Sequence, residues 1–348
     1  MTSEDIEQHL ATVRGQVWAI VYAYDPPAKP RSLWYDRWRY DVINDHVEAV
    51  SFLGAEPLII DVDSFILSER LRSGEISLVV NLNSGATPIS NVGLVPSLAQ
   101  WNKIPCFPNS ADVLLSGERK DICKRFFSSW FCIPSDINLT DATSNRIPFI
   151  VKPKTMGNSR NVTRDLQLPD TKADQTLWLR DFLIEEFIEG YEVTVPVIFD
   201  ATQDDYVICP PIIYVPEVTN PTQWFLSYDQ KMDRKVIIDR RLGRLAPGAV
   251  RALLESSRAF NFEGLARFDF RWRTNDVNTD VELEELWFLE INCMPTLRTD
   301  VNFIKSIKGY LSGHSDPLTK FVMNARTPDI AALSYLLLQF FLATATTK

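Results

Sequence analysis

The chain has 348 residues, 45% of them hydrophobic, and 45 acidic against 36 basic side chains give a formal net charge of −9. At about 100 to 200 residues per domain, that length allows two or three packed units. The acidic balance argues against nucleic acid as a partner, because phosphate backbones are bound by basic surfaces. The N-terminus, MTSEDIEQHLATVRGQVWAI, carries acids ahead of its first apolar run and lacks the basic start and small-residue cleavage pattern of a secretory signal, so a cytoplasmic location is expected. Five cysteines (Cys106, Cys123, Cys132, Cys209, Cys293) lie scattered and odd in number, which suits free thiols in a reducing compartment.

In chain order, residues 16–24 (QVWAIVYAY), 57–62 (PLIIDV) and 76–82 (ISLVVNL) are short apolar runs with β-branched content. Helical-looking segments such as Tyr40 to Leu53 separate them, and the alternation predicts a small parallel α/β unit. The turn-rich NLNSGATPISNVG follows the third run, where such sheets present ligand loops, and is expected to contact substrate. From about Ser110 the character changes. LLSGERKDICKRFFSSW has helical spacing, and PFIVKPKTMGNSRNVTRDL reads as strand, loop and strand around a single glycine. FLIEEFIEGYEVTVPVIF supplies a strand, a hinge-like EFIEG and a second strand, and Pro247 to Phe260 has helical periodicity. Two last strands, LARFDFRW and LWFLEIN, are joined by the polar, hairpin-like RTNDVNTDVELEE. The uncharged run Ala331 to Ala343 is shorter than the roughly 20 apolar residues of a spanning helix and includes Ser334 and Gln339, so a docked helix or subunit contact is expected rather than a membrane span.

Strand alternation puts Arg267, Asp269 and Arg271 on one face and Phe268, Phe270 and Trp272 on the other, while Glu290 and Asn292 share a face. If these strands pair antiparallel, one surface carries Arg267, Asp269, Glu290 and Asn292 over an apolar layer. Oxygen-only donors with few formal charges suit Mg²⁺, which keeps waters and shares phosphate oxygens. Alternatively, Arg267 and Asp269 are the solvated side of an edge strand and Glu290 pairs with an arginine. Lys152 ends an apolar strand before a loop with donors at Gly157, Asn158 and Ser159, a point charge plus cradle for a polyphosphate, or an ordinary hairpin. Glu185 and Glu192 flank EFIEG, where one carboxylate could accept an adenine amine and the other a ribose diol, or both are plain surface glutamates.

Taken in order, KDICK, IVKPKTMGNS, LIEEFIEGYEVTV, YDQK, LARFDF and FLEINCMP resemble the ATP-grasp superfamily, most closely its D-alanine-D-alanine ligase branch, over roughly residues 110 to 310. The resemblance implies an ATP-grasp fold of mixed α/β (α+β) class. A small parallel N-terminal domain (1–108) precedes a central subdomain (109–182) and a C-terminal subdomain with the metal site (183–312) that clamp ATP, followed by a helical tail (313–348). It implies that Lys120 and Lys152 contact ATP phosphates with the loop residues Asn158 and Ser159. Glu185 meets the adenine amine, the strand-to-hinge run Glu186, Phe187 and Ile188 lies along the base, and Glu192 meets ribose. Lys231 reaches the γ-phosphate from a mobile loop. Asp269, Glu290 and Asn292 hold magnesium, with Mn²⁺ as a substitute, and Arg267 faces the developing oxyanion. The implied chemistry passes the γ-phosphoryl group to a substrate carboxylate and lets an amine attack the acylphosphate, giving ADP and phosphate. The implied partners are a small-molecule carboxylate and amine, with a homodimer as the assembly. His9, His46 and His314 fall outside every motif and are assigned core or surface roles.

The sequence also departs from that branch. The glycine-rich first loop is YAYDPPAKPRS here, the histidine-glycine motif is NLNSGATP, and after EIN the chain reads CMPTLRTDVNF, with Thr296 at the glycine and Val301 near the serine position. Arg160 and Asn161 replace small residues of the phosphate loop, and Arg298 and Thr299 are either anchors for a substrate carboxylate or solvated. A substrate other than a D-alanine pair is therefore expected, bounded by Tyr22 to Tyr35 and Asn83 to Asn91. Two other readings stay open: an acceptor that is a hydroxyl, thiol or carrier protein, and a non-catalytic ATP-binding protein.

Overall fold

The computed structural model describes residues 1–23, 40–62, 66–83, 89–137, 148–155, 157, 159, 161–164, 178–227, 236–298 and 302–346. The helix α1 (Ser3–Val13) starts at Thr2, whose hydroxyl accepts from the Asp5 amide while the Asp5 carboxylate accepts from the Thr2 amide, a reciprocal cap for two otherwise orphaned donors. There follow β1 (Val17–Tyr22), α2 (Tyr40–Phe52), β2 (Glu56–Asp61), α3 (Ile66–Arg72), β3 (Ile76–Asn81), α4 (Leu94–Trp101) and β4 (Cys106–Phe107). All four strands pair parallel in the order β2-β1-β3-β4. Trp18, Ala19, Ile20 and Val21 of β1 are fully buried, because a parallel sheet is covered on both faces and its inner strand reads as a continuous apolar run.

The chain then forms α5 (Ala111–Glu118), α6 (Lys120–Phe127), β5 (Phe149–Pro153), β6 (Thr163–Arg164) and β7 (Phe182–Glu186). The last three make a small antiparallel sheet with β5 in the middle. A larger antiparallel sheet takes β8 (Tyr191–Asp200), β9 (Asp205–Ile208), β10 (Ile212–Pro216), β11 (Ile238–Leu242), then α7 (Pro247–Phe260), β12 (Leu265–Trp272) and β13 (Leu286–Asn292). Its order is β11-β10-β8-β12-β13, with β9 paired to the far end of β8. Beneath it Phe268, Phe270 and Phe288 pack on Phe127 and Phe131, the closest ring centroids 4.7 Å apart. That is the apolar layer the alternation requires, at about 1.5–3 kcal/mol per buried aromatic.

Gly190 sits between the two antiparallel sheets at φ 145°, and a Cβ there would lie 2.1 Å from the Trp272 carbonyl. Only glycine lets the connection pass this close to β12.

Three helices close the chain: α8 (Asn302–Ser312), α9 (Pro317–Val322) and α10 (Pro328–Thr346). The last is long and apolar enough to cross a membrane, yet most of its surface is buried inside the protein. It packs in one core with α1, β1, α2 and α8, and Phe340 meets Phe107 edge to face. The apolar tail is thus a docked helix that joins the first sheet to the last.

Candidate functional site

The strands β12 and β13 pair antiparallel with Arg267 opposite Asn292 and Asp269 opposite Glu290, and a bulge after Asp269 brings Phe270 opposite Phe288. The four polar residues therefore share one face. β12 lies between β8 and β13 and is an interior strand, which removes the reading of Arg267 and Asp269 as the outer side of an edge. Glu290 pairs with a lysine, Lys120, at 3.1 Å rather than with an arginine.

Arg267 donates from Nε and Nη2 to Asp269 at 2.8 and 2.6 Å, and the Thr194 hydroxyl on β8 donates to the same carboxylate. The Arg267, Asp269 and Glu290 side chains keep about a fifth to a quarter of their surface exposed, so the cluster opens to a ligand. Burial pushes the Glu290 carboxyl up, but Lys120, Arg267 and Lys152 outweigh it and hold the group down at about 2. The Asn292 side-chain oxygen accepts from the Met294 amide at 2.9 Å. Met294 in turn lies against Asn81 at the C-terminal end of β3, so the C-terminal edge of the parallel sheet meets this face.

The lysines come from one helix and one strand. Lys120 and Lys124 stand one turn apart on α6, and Lys152 sits near the end of β5; all three are buried. Glu185 of β7 is buried between two of them, with Lys124 at 2.5 Å on one oxygen and Lys152 at 2.7 Å on the other. Burial raises the Glu185 carboxyl, yet the two ammonium groups bring it below the ordinary carboxylate range. This removes the reading of Glu185 as a plain surface glutamate, because it is buried and each of its oxygens meets a lysine.

At the hinge, Glu186 accepts from the Ser135 amide and hydroxyl, and the Phe187 ring carries the Arg164 guanidinium 4.1 Å from its centroid. Arg164 also donates twice to Gln223, linking the small sheet to the loop ahead of β11. Glu192 accepts from the Leu226 amide at 2.8 Å. The Ile188 carbonyl accepts from Arg271, a buried guanidinium that also serves the carbonyls of Gly190, Thr222 and Trp224. Of the remaining expected site residues, Ser159 adopts φ 55°, whereas Asn158 and Lys231 lie outside the described residues, as do Arg160, Thr299, Val301 and most of the two segments expected to border substrate.

Sequence reasoning missed Lys124, Thr194, Arg271 and Asn109. The first two carried a signal: Lys124 is four residues after Lys120 on one helix face, and Thr194 shares a strand face with Glu192. Arg271 lies on the polar face with Arg267 and Asp269, opposite Glu192, but is buried there as a brace. Asn109 is fully buried, donates to the Leu265 and Cys293 carbonyls and accepts from the Glu263 and Gly264 amides. It thereby ties the start of β12 to the residue that follows β13, and nothing local in the sequence marks it.

Among the described residues no group of three or more His, Cys, Asp or Glu converges. Two carboxylates and an amide oxygen fit a hard divalent cation that keeps water and takes further oxygens from a ligand, and they fit zinc poorly.

The D-ala D-ala ligase C-terminus family model matches residues 128–309. A D-alanine–D-alanine ligase from Carboxydothermus hydrogenoformans is 25% identical over 147 residues, 41% of this chain and 43% of the relative, so the match spans less than half of that protein's length. Among solved structures, the VanG D-Ala:D-Ser ligase from Enterococcus faecalis superposes over 94% of this chain and 100% of its own, with a TM-score of 0.61 at 14% identity. The D-alanine–D-alanine ligase from Bacillus anthracis complexed with ATP covers 89% of this chain and 97% of its own, with a TM-score of 0.56 at 16% identity. These likenesses establish an ATP-grasp fold, and with a family model matching just over half of its length, the chain belongs to the D-ala D-ala ligase C-terminus family.

Proposed function

We propose that the protein is an ATP-dependent, ADP-forming carboxylate–amine ligase acting on amino-acid-like substrates other than a pair of D-alanines. The observation that carries this reading is the placement of Asp269, Glu290 and Asn292 on one sheet face with Arg267, while Lys120 reaches Glu290 from α6. The relatives' names support it: one is a D-alanine–D-alanine ligase, one a D-Ala:D-Ser ligase, and one has been seen with ATP. On this reading the chain divides into an N-terminal unit (1–108), the two ATP-grasp subdomains (109–182 and 183–312) and the helical tail (313–348).

Asp269, Glu290 and Asn292 would hold Mg²⁺, which when bound neutralises charge on the transferred phosphoryl group. The chain's own side chains do the rest. Lys120 and Lys152 take phosphate oxygens, with Asn158, Ser159 and Lys231 closing over them, and the segment Glu186 to Ile188 borders the base beside Glu192 at the ribose. A carboxylate resists amine attack because oxide is a poor leaving group; phosphorylation replaces it with phosphate. Arg267, held beside Asp269, then faces the oxyanion that forms as the amine adds. The departures at Thr296, Val301 and the two N-terminal loops support a different acceptor, since a buried ammonium or carboxylate without its partner costs several kcal/mol, enough to remove activity by orders of magnitude.

The test is ADP and phosphate release with magnesium and ATP against a matrix of amino acids and small carboxylic acids. Pairs that release ADP together but not singly are expected and name both substrates. Release of AMP and pyrophosphate would overturn the assignment, and robust D-alanyl-D-alanine formation would overturn the substrate reading alone.

A further inference from the structure

The geometry points to Lys124 as a positioning residue for nucleotide phosphates: it keeps Glu185 paired so that Lys152 can leave that carboxylate for an incoming anion. This inference rests on the proposed assignment of Lys152 to a phosphate. Three buried groups carry it. Glu185 is 1% exposed and holds Lys124 on one oxygen and Lys152 on the other. Burial and the neighbouring Lys152 lower the Lys124 pKa to about 7 against the pull of Glu185, so the second positive charge on this carboxylate is only marginally held and an anion placed beside the two lysines would favour it.

The two lysines differ in what they can do. Lys152 stands in the last turn-ward residues of β5, immediately before Pro153 and the loop that contains Gly157 and Ser159. Lys124 is held in the interior face of α6, one turn from Lys120, which pairs with Glu290 of the larger sheet. The helix thus delivers one lysine to each antiparallel sheet. If Lys124 were absent, Glu185 would have only Lys152. Moving that ammonium to a phosphate would then strand a buried carboxylate, which is strongly unfavourable. Lys152 would stay on Glu185 and the phosphates would lose a ligand. Lys124 removes that conflict without touching the nucleotide.

The experiment measures binding of ATP, ADP and adenosine by calorimetry, each with magnesium, on the full chain. Lys124→Met, close in shape and without charge, is expected to weaken ATP and ADP about tenfold or more and to leave adenosine within about twofold. A local loss of packing would instead weaken all three. Lys124→Arg restores a cation and is expected to recover most of the affinity for ATP. Adding Glu185→Gln to Lys124→Met removes the charge that captures Lys152, so the double variant is expected to bind ATP more tightly than Lys124→Met alone. It also replaces a broken ion pair with neutral groups, which favours folding. Wild-type affinity in Lys124→Met, a matching loss for adenosine, or a double variant no better than the single one would each overturn the inference. Failure of the wild-type protein to bind ATP would overturn the proposed function and this inference together.

Discussion

Replacing Arg271 by methionine tests how the hinge is held. The guanidinium is 4% exposed and donates to four carbonyls: Ile188 and Trp224 at 2.9 Å, Gly190 at 2.5 Å and Thr222 at 3.0 Å. Burial lowers its pKa to about 10, opposed by Glu192, so at neutral pH it remains charged. Hydrogen bonds to a charged group contribute about 1.5–3 kcal/mol each, but carbonyls in the 222–224 turn can be rehydrated after the change. The net loss is therefore set by the broken buried network, about 3–5 kcal/mol. Urea denaturation followed by fluorescence should show this as a lower midpoint with little change in slope. Arg271→Lys should recover only a minor part, because an ammonium cannot fork to carbonyls on both segments. Unfolding of Arg271→Met within about 1 kcal/mol of wild type would refute the idea that this residue braces the connection between the two antiparallel sheets.

Glu290→Gln should lower ligase turnover at least about 100-fold while the thermal midpoint falls only modestly, since the amide still accepts from Lys120; unchanged turnover in a steady-state ADP assay would show that Glu290 is a structural partner of Lys120 and nothing more. His46 is buried, its Nδ1 donates to the Val42 carbonyl, and burial lowers its pKa from 6.5 to about 4. Its neutral form is the folded one, so the stability it contributes is complete above pH 6.5 and is lost as pH falls toward 4. The loss is on the order of 3 kcal/mol. Urea midpoints compared at pH 7 and pH 4.5 should show a smaller drop in His46→Leu than in wild type, and equal drops would rule the histidine out as a source of the acid sensitivity.

The parts of the fold that could be read from sequence are those with a period. The three N-terminal strands and α2 fall where apolar runs and helical spacing put them, and β12 and β13 pair in the register that unites Arg267, Asp269, Glu290 and Asn292. Alternation decides which side chains share a face, and it did so here without error. What it cannot decide is which partner crosses from another element. Nothing near Glu290 announces Lys120, since the two are distant in sequence and meet only when α6 packs against β13. Glu185 illustrates the same gap: a glutamate in a polar hinge motif looks exposed, yet two lysines from α6 and β5 bury it. Asn109 and Arg271 act through backbone carbonyls, which every residue possesses, so no local pattern could have flagged them.

The pairing of opposite charges across this site has a physical reason of its own. A site meant for a divalent cation and a polyphosphate must present both signs of charge in a partly buried cleft, and each such group left alone would oppose folding. Here each acid is held by a base, Asp269 by Arg267, Glu290 by Lys120, and Glu185 by Lys152 with Lys124, and in the Glu290 pair the base is one proposed for the other ligand. On the proposed reading, a metal ion arriving alone must compete with Lys120 for Glu290, and a nucleotide arriving alone must draw that lysine off its carboxylate. With both present, Glu290 would be free to hold the metal and Lys120 to hold the phosphates, so neither would need the other as a partner. The free energy that each ligand would otherwise spend in separating an ion pair is thus shared, and by linkage the gain is the same whichever binds first. On that reading the internal pairs stabilise the fold and would at the same time favour the two ligands together over either one alone.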